Sequence, residues 1–98
     1  MENAENIKEP MYQNLKAYEG ILNYYTKNPE KVTESRTYLD ELYTSIKDLR
    51  EVLERPDASL LNLKDKDGLY LKIKGLEKRA KSLLMADLIK KIKKSEEN

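Results

Sequence analysis

A chain of 98 residues, 39% apolar and 38% charged, has the profile of one helix-rich domain whose core is too small to enclose a deep substrate cavity. Nineteen basic against eighteen acidic residues leave a net charge of +1, so global charge selects no partner. The absence of cysteine and histidine excludes disulfides and thiolate chemistry, and removes the commonest general base and transition-metal ligand.

Phenylalanine and tryptophan are missing too, so fifteen leucines and seven tyrosines must fill the interior. The first residues are polar and acidic with no apolar run behind them, unlike a secretory signal. No apolar segment approaches the roughly 20 residues that span a bilayer. The expectation is a cytoplasmic protein with no membrane span.

Residues 1–9 lack periodicity and read as a frayed leader. Pro10 suits the first turn of a helix, where its missing N–H costs nothing. From there Met11, Leu15, Tyr18, Leu22 and Tyr25 are spaced 4-3-4-3, an apolar seam running to about Lys27. Asn28 and Pro29 read as stop and restart, with Asn28 capping a second helix and Pro29 opening it.

That second helix, about 30–55, gives the clearest periodic signal. Val32, Ser35, Leu39, Leu42, Ile46, Leu49 and Leu53 follow a 3-4-3-4-3-4 spacing broken only by the serine. Tyr38 and Tyr43 flank the seam, and Pro56 ends the helix. The short joint makes the two helices antiparallel neighbours, so 10–55 is expected to zip into a helical hairpin.

Over 59–74 the rhythm changes. Leu61 and Leu63 alternate before Asp65-Lys66-Asp67-Gly68, and Leu69, Leu71 and Ile73 alternate after it. A period of two belongs to strands, and the turn suits a hairpin closed by a left-handed glycine at Gly68. The spacing predicts a small β-hairpin; a helix starting near Asp67 competes with it. Gly75 ends the second strand, and a third, basic helix follows over 76–94. Leu76, Ala80, Leu83 and Leu84 form one of its stripes, while Met85, Leu88, Ile89 and Ile92 lie on another side. Either the helix kinks near Ala86, or the segment is covered on two sides, which points to a second subunit or partner.

Chemistry-bearing motifs are scarce. Asp65-x-Asp67-Gly68 resembles part of a calcium loop, but with Gly68 at the sixth position the first is Leu63 and the twelfth is Lys74, so the ligands a calcium ion needs are missing. The tyrosines suit packing better than base stacking, Tyr24 being the one expected to be exposed. Paired carboxylates need a cleft that moves their pKa values apart, and no pattern predicts one. Residues 75–98 carry net +3 against −3 for 29–57, so a basic surface on the last helix is the remaining candidate.

The expectation is therefore a mostly α protein of one domain: an antiparallel helical hairpin, a small β-hairpin and a basic C-terminal helix. Its expected function is that of a non-catalytic protein–protein interaction module without cofactor or metal, self-associating through Leu69, Leu71 and Ile73 or through Leu84, Met85, Leu88, Ile89 and Ile92. The alternative is a small nucleic-acid-binding protein. Its phosphate contacts would be Lys72, Lys74, Lys78, Arg79, Lys81, Lys90 and Lys91, with the β-hairpin as an added contact.

Overall fold

The computed structural model describes residues 4–61 and 65–97, which form three α-helices joined by short 3₁₀ turns, with no strand among the described residues. Helix α1 is Ala4–Lys27, α2 is Arg36–Glu54 and α3 is Lys66–Glu97, with 3₁₀ turns at Pro29–Lys31 and Pro56–Leu61. Contacts fix the directions. Arg36 meets Asp87, Arg50 meets Glu77 and Tyr70 meets Glu54, so α2 and α3 run antiparallel. Glu19 pairs with Lys72, and Asn23 accepts from Arg79, so α1 and α3 run parallel. Helices α1 and α2 therefore run in opposite directions, as the sequence leads one to expect, but each packs most closely on α3 rather than on the other.

The apolar seams read from spacing are the buried ones. Met11, Leu15, Leu22 and Tyr25 of α1 meet Leu39, Leu42, Ile46 and Leu53 of α2 in one core with Leu69, Ile73, Leu76, Ala80 and Leu84 of α3. Tyr18, Tyr43, Leu49 and Leu83 pack at its margin. Tyr38, which flanks the seam in the sequence, stands in solvent, and Tyr24 is exposed as expected, its ring edge-on to Tyr25.

The β-hairpin expected over 59–74 is overturned. Leu61 closes a 3₁₀ turn, and 66–74 are the opening turns of α3; Asn62, Leu63 and Lys64 lie outside the described residues. The sequence that resembled a hairpin turn is a helix N-terminus. Asp65 has a φ of 50°, and its Oδ1 accepts from the Gly68 N–H at 3.2 Å, the bond of an N-cap. Asp67 follows in the first turn, where a negative charge suits the helix dipole. Gly68 has no positive φ, so its role is not that of a left-handed bulge glycine. The alternation of Leu69, Leu71 and Ile73 deceives because its outer members are four apart, which is also helical spacing. Continued as Leu76, Ala80 and Leu84, the pair Leu69–Ile73 opens a buried seam, while Leu71 is 68% exposed.

Helix ends differ from expectation elsewhere. Helix α1 starts at Ala4 instead of Pro10, so Pro10 falls inside it and cannot donate to the carbonyl four residues back. Asn28 caps backward: its Nδ2 donates to the Tyr24 carbonyl at 2.8 Å, closing α1 instead of opening α2. Pro29 opens the 3₁₀ turn, Val32 is buried within the joint, and α2 begins only at Arg36. Arg55 takes the extended backbone (φ −70°, ψ 146°) that a following proline imposes, which ends α2 as expected at Pro56.

Thirty-two residues make α3 about 48 Å long, far longer than α2 beside it. The molecule is a rod of 59 × 23 × 22 Å, longer than α3 itself, because the C-terminal turns of α3 project at one end and α1 begins before the level of Lys66 at the other, Glu19 being level with Lys72.

The helical assignment of 66–75 has a direct test at Gly75, which is exposed in mid-helix with open space where a Cβ would stand. Gly75→Ala should raise stability by about 0.5–1 kcal/mol, or a melting temperature gain of about 2–8 °C for a domain this size. At the end of a strand the same change brings no such gain; a melt at or below wild type would contradict the helix.

Candidate interaction face of the third helix

Two faces of α3 carry its chemistry, and the inner one is anchored by charge. One step beyond Leu84 along the buried seam stands Asp87, 4% exposed and the one buried charged side chain among the described residues. The Thr33 hydroxyl donates to Oδ1, Arg36 Nη1 donates to Oδ2 at 3.0 Å, and Lys91 Nζ lies 3.4 Å from Oδ2. Thr33 and Arg36 sit in the α1–α2 joint and at the start of α2, whose N-cap Ser35 makes no side-chain cap bond. Asp87 therefore holds from across the interface a helix start that local capping does not hold. Its carboxyl is kept below the ordinary aspartate value, first by the Thr33 hydroxyl and then by Arg36 and Lys91, against the opposing effect of desolvation.

A second polar network ties the far end of α2 to α3. Arg50 Nε donates to Glu77 at 2.5 and 2.9 Å, Arg50 Nη1 donates to Glu54 at 2.6 Å, and the Tyr70 hydroxyl donates to Glu54 at 2.6 Å. The Tyr70 bond is the main reason Glu54 is lowered and Tyr70 raised; the Glu77 bond is the main reason Arg50 is raised. These shifts come from side chains of the protein facing one another, so they account for helix docking and need no substrate.

The cations proposed from sequence as phosphate contacts do not converge. Lys72 pairs with Glu19 at 3.4 Å, Lys74 stands 5.4 Å over the Tyr70 ring, Arg79 donates to Asn23 at 2.7 Å, and Lys91 serves Asp87. Lys78, Lys81 and Lys90 are exposed and have no acidic partner among the described residues. On the helical wheel, Lys74, Lys78 and Lys81 fall on the outer face, Lys72, Arg79 and Lys90 on one flank, and Lys91 toward the core. A shallow corner where α3 leaves α2 is lined by Thr33, Lys90, Lys91, Lys93 and Lys94, but Thr33 and Lys91 are already engaged with Asp87.

The residues proposed for self-association divide cleanly. Leu69, Ile73 and Leu84 belong to the protomer's own core, and Leu71 is isolated by one turn and more from any apolar neighbour on its side. Met85, Leu88, Ile89 and Ile92 remain, 38–50% exposed. They follow i, i+3, i+4, i+7 spacing and form a stripe about 130° around the helix from the buried seam. The stripe was legible as a second apolar side of the helix. Asp87 was not singled out, although the seam 73-76-80-84 points to it and Lys91 stands one turn on. Among the described residues, no helix is long and apolar enough to cross a membrane. No protein-family model, no curated protein and no solved structure matches the chain.

The ionised Asp87 has a pH signature. Its folded pKa lies below its unfolded one, so its stabilisation is complete above about pH 5 and is lost as pH falls through the unfolded and then the folded value. Asp87→Asn should therefore cost about 1–3 kcal/mol at neutral pH, and the gap to wild type should narrow at a second, acid pH below the unfolded aspartate value of about 3.9, where the carboxylate's stabilisation is being lost. Urea unfolding of both proteins at the two pH values measures it. A gap that does not change with pH would show that the charge is not what matters.

Proposed function

We propose that this chain is a non-catalytic protein–protein interaction module that self-associates, and that its contact surface is the outer stripe of α3. The single observation behind this is Met85, Leu88, Ile89 and Ile92 standing in solvent on the part of α3 that outruns the core. Four large apolar side chains aligned on one helix face make the i, i+3, i+4, i+7 pattern by which helices dock into one another or into grooves. The protein's own core does not need them, since α1 and α2 cover the opposite side of α3. Their exposure costs solubility without serving the fold, which is the usual mark of a surface kept for a partner. The non-catalytic part rests on the titratable groups, whose shifted members are all engaged with other side chains of the domain. A nucleic-acid role has less support, because four of its seven cations are already partnered and the seven are spread around the helix.

Replacing Ile89 and Ile92 together with glutamate should abolish association while leaving the fold intact. Both side chains lie outside the core, so the change in folding stability should stay within about 0.5 kcal/mol per site. Sedimentation velocity up to roughly 200 μM, a range suited to a small contact area, reads the first expectation and circular-dichroism melting the second. A double variant that associates as well as wild type would remove the stripe from the proposal.

A further inference from the structure

We infer that the occupant of the stripe is the same stripe of a second copy, packed antiparallel about a two-fold axis that passes between Leu88 and Ile89. This rests on the reading of the stripe as the contact surface. The outward side of α3 reads Lys81, Met85, Leu88, Ile89, Ile92, Glu96, with spacing 4-3-1-3-4. That sequence of intervals is the same in both directions. At 100° per residue, Met85 and Ile92 lie on the centre line, Leu88 and Ile89 about 50° to either side of it, and Lys81 and Glu96 about 30° to either side. A two-fold axis at the midpoint therefore sets Met85 of one copy facing Ile92 of the other. It gathers both leucines and both isoleucines of the Leu88–Ile89 pairs around the axis.

Charge selects the direction. In the antiparallel arrangement Lys81 comes level with Glu96 of the second copy, twice by symmetry. In a parallel arrangement Lys81 meets Lys81 and Glu96 meets Glu96, which is repulsive at both ends. Both residues are exposed, helical and without an opposite charge among the described residues, so neither must be released from another pair. The remaining C-terminal lysines do not oppose the contact. Lys90, Lys91 and Lys94 project from the other side of the helix and Lys93 from its flank.

Other placements of a second copy fit less well. The outward face of α2 offers Asp40, Glu41, Asp48 and Glu51 to the lysines, but the large hydrophobic side chains that α2 leaves in solvent are Tyr38 and Val52, at 48% and 36% exposure and far apart along the helix, too little to cover four. Helices α1 and α2 sit on the far side of α3, so two bundles can approach through their stripes without collision. The contact uses the same patch on both copies and closes on itself, which gives a dimer rather than a filament. Four half-exposed side chains per chain make a small interface, so the dissociation constant should be on the order of 10 μM or weaker.

The absence of cysteine makes the register directly readable. Met85→Cys and Ile92→Cys are prepared separately, mixed in equal amounts at roughly 200 μM, above the expected dissociation constant, and oxidised. The products are mapped by mass spectrometry, with Tyr24→Cys, exposed on α1, as the control for random collision. The mixed 85–92 disulfide should predominate over either homodimer. Lys81→Glu and Glu96→Lys, each alone, should weaken dimerisation roughly three- to tenfold, and the two combined should restore it. Predominant 85–85 and 92–92 products would overturn the antiparallel register while leaving self-association through the stripe in place. Cross-linking no stronger than the control would overturn the stripe dimer altogether. Sedimentation of the same samples then tells a chain that dimerises elsewhere from one that stays monomeric, the second outcome also removing self-association from the proposed function.

Discussion

One face of one helix holds this protein together. Leu69, Ile73, Leu76, Ala80 and Leu84 run down α3, and both other helices bury their seams against that line. Each large aliphatic side chain taken fully out of water contributes roughly 1.5–3 kcal/mol, and Ile73 with Ile46, Leu22, Leu15 and Leu39 form the most deeply buried set. Without α3, the seams of α1 and α2 would have only each other across a joint that brings few of their residues close. The small Ala80 in the middle of the line lets the other helices approach where a leucine would hold them off.

Polar contacts then set how the helices lie along that line. At one end Arg50, Glu77, Glu54 and Tyr70 bridge α2 and α3 near the surface, where each pair adds little and geometry matters more than energy. At the other end the Asp87 carboxylate is out of water, and there the pairing matters more. A buried carboxylate is tolerated only when its oxygens are satisfied, and Thr33, Arg36 and Lys91 do this together. The start of α2 and the α1–α2 joint are thereby fixed to a single point on α3. Among the described residues Asp87 is the last on α3 to bond another element, so it marks where the bundle ends and the projecting segment begins.

A helix that serves a core on one side and carries an apolar stripe on the other has two apolar faces at different heights. On α3 the apolar inner face spans 69–84 and the outer one 85–92, so the second begins where the first ends. The offset explains why the whole helix is only weakly amphipathic although each half has a definite apolar side. It also keeps the proposed contact separable from the fold, since the outer side chains lie outside the core and the inner ones are buried in it.

Spacing in the sequence determined the seams of α1 and α2 and the C-terminal half of the α3 seam, because a repeat of three and four is the geometry of a helix face and survives in any helical context. Proline fixed the end of α2 and the short restart after Asn28 through backbone sterics that need no neighbours. The first turns of α3 were not decided locally. Asp65 to Ile73 satisfies both a hairpin turn with alternating strands and a capped helix with an i, i+4 apolar pair. The tertiary structure chooses the second, because only a continuous helix sets Leu69 and Ile73 in line with Leu76, Ala80 and Leu84 and buries them against two other helices; a lone two-stranded hairpin has nothing comparable to gain. Likewise no local signal gives Asp87 its partners Arg36 and Thr33, which lie 51 and 54 residues away in the chain. Periodicity tells which side of a helix is apolar, and only packing tells which of two apolar sides the protein keeps for itself.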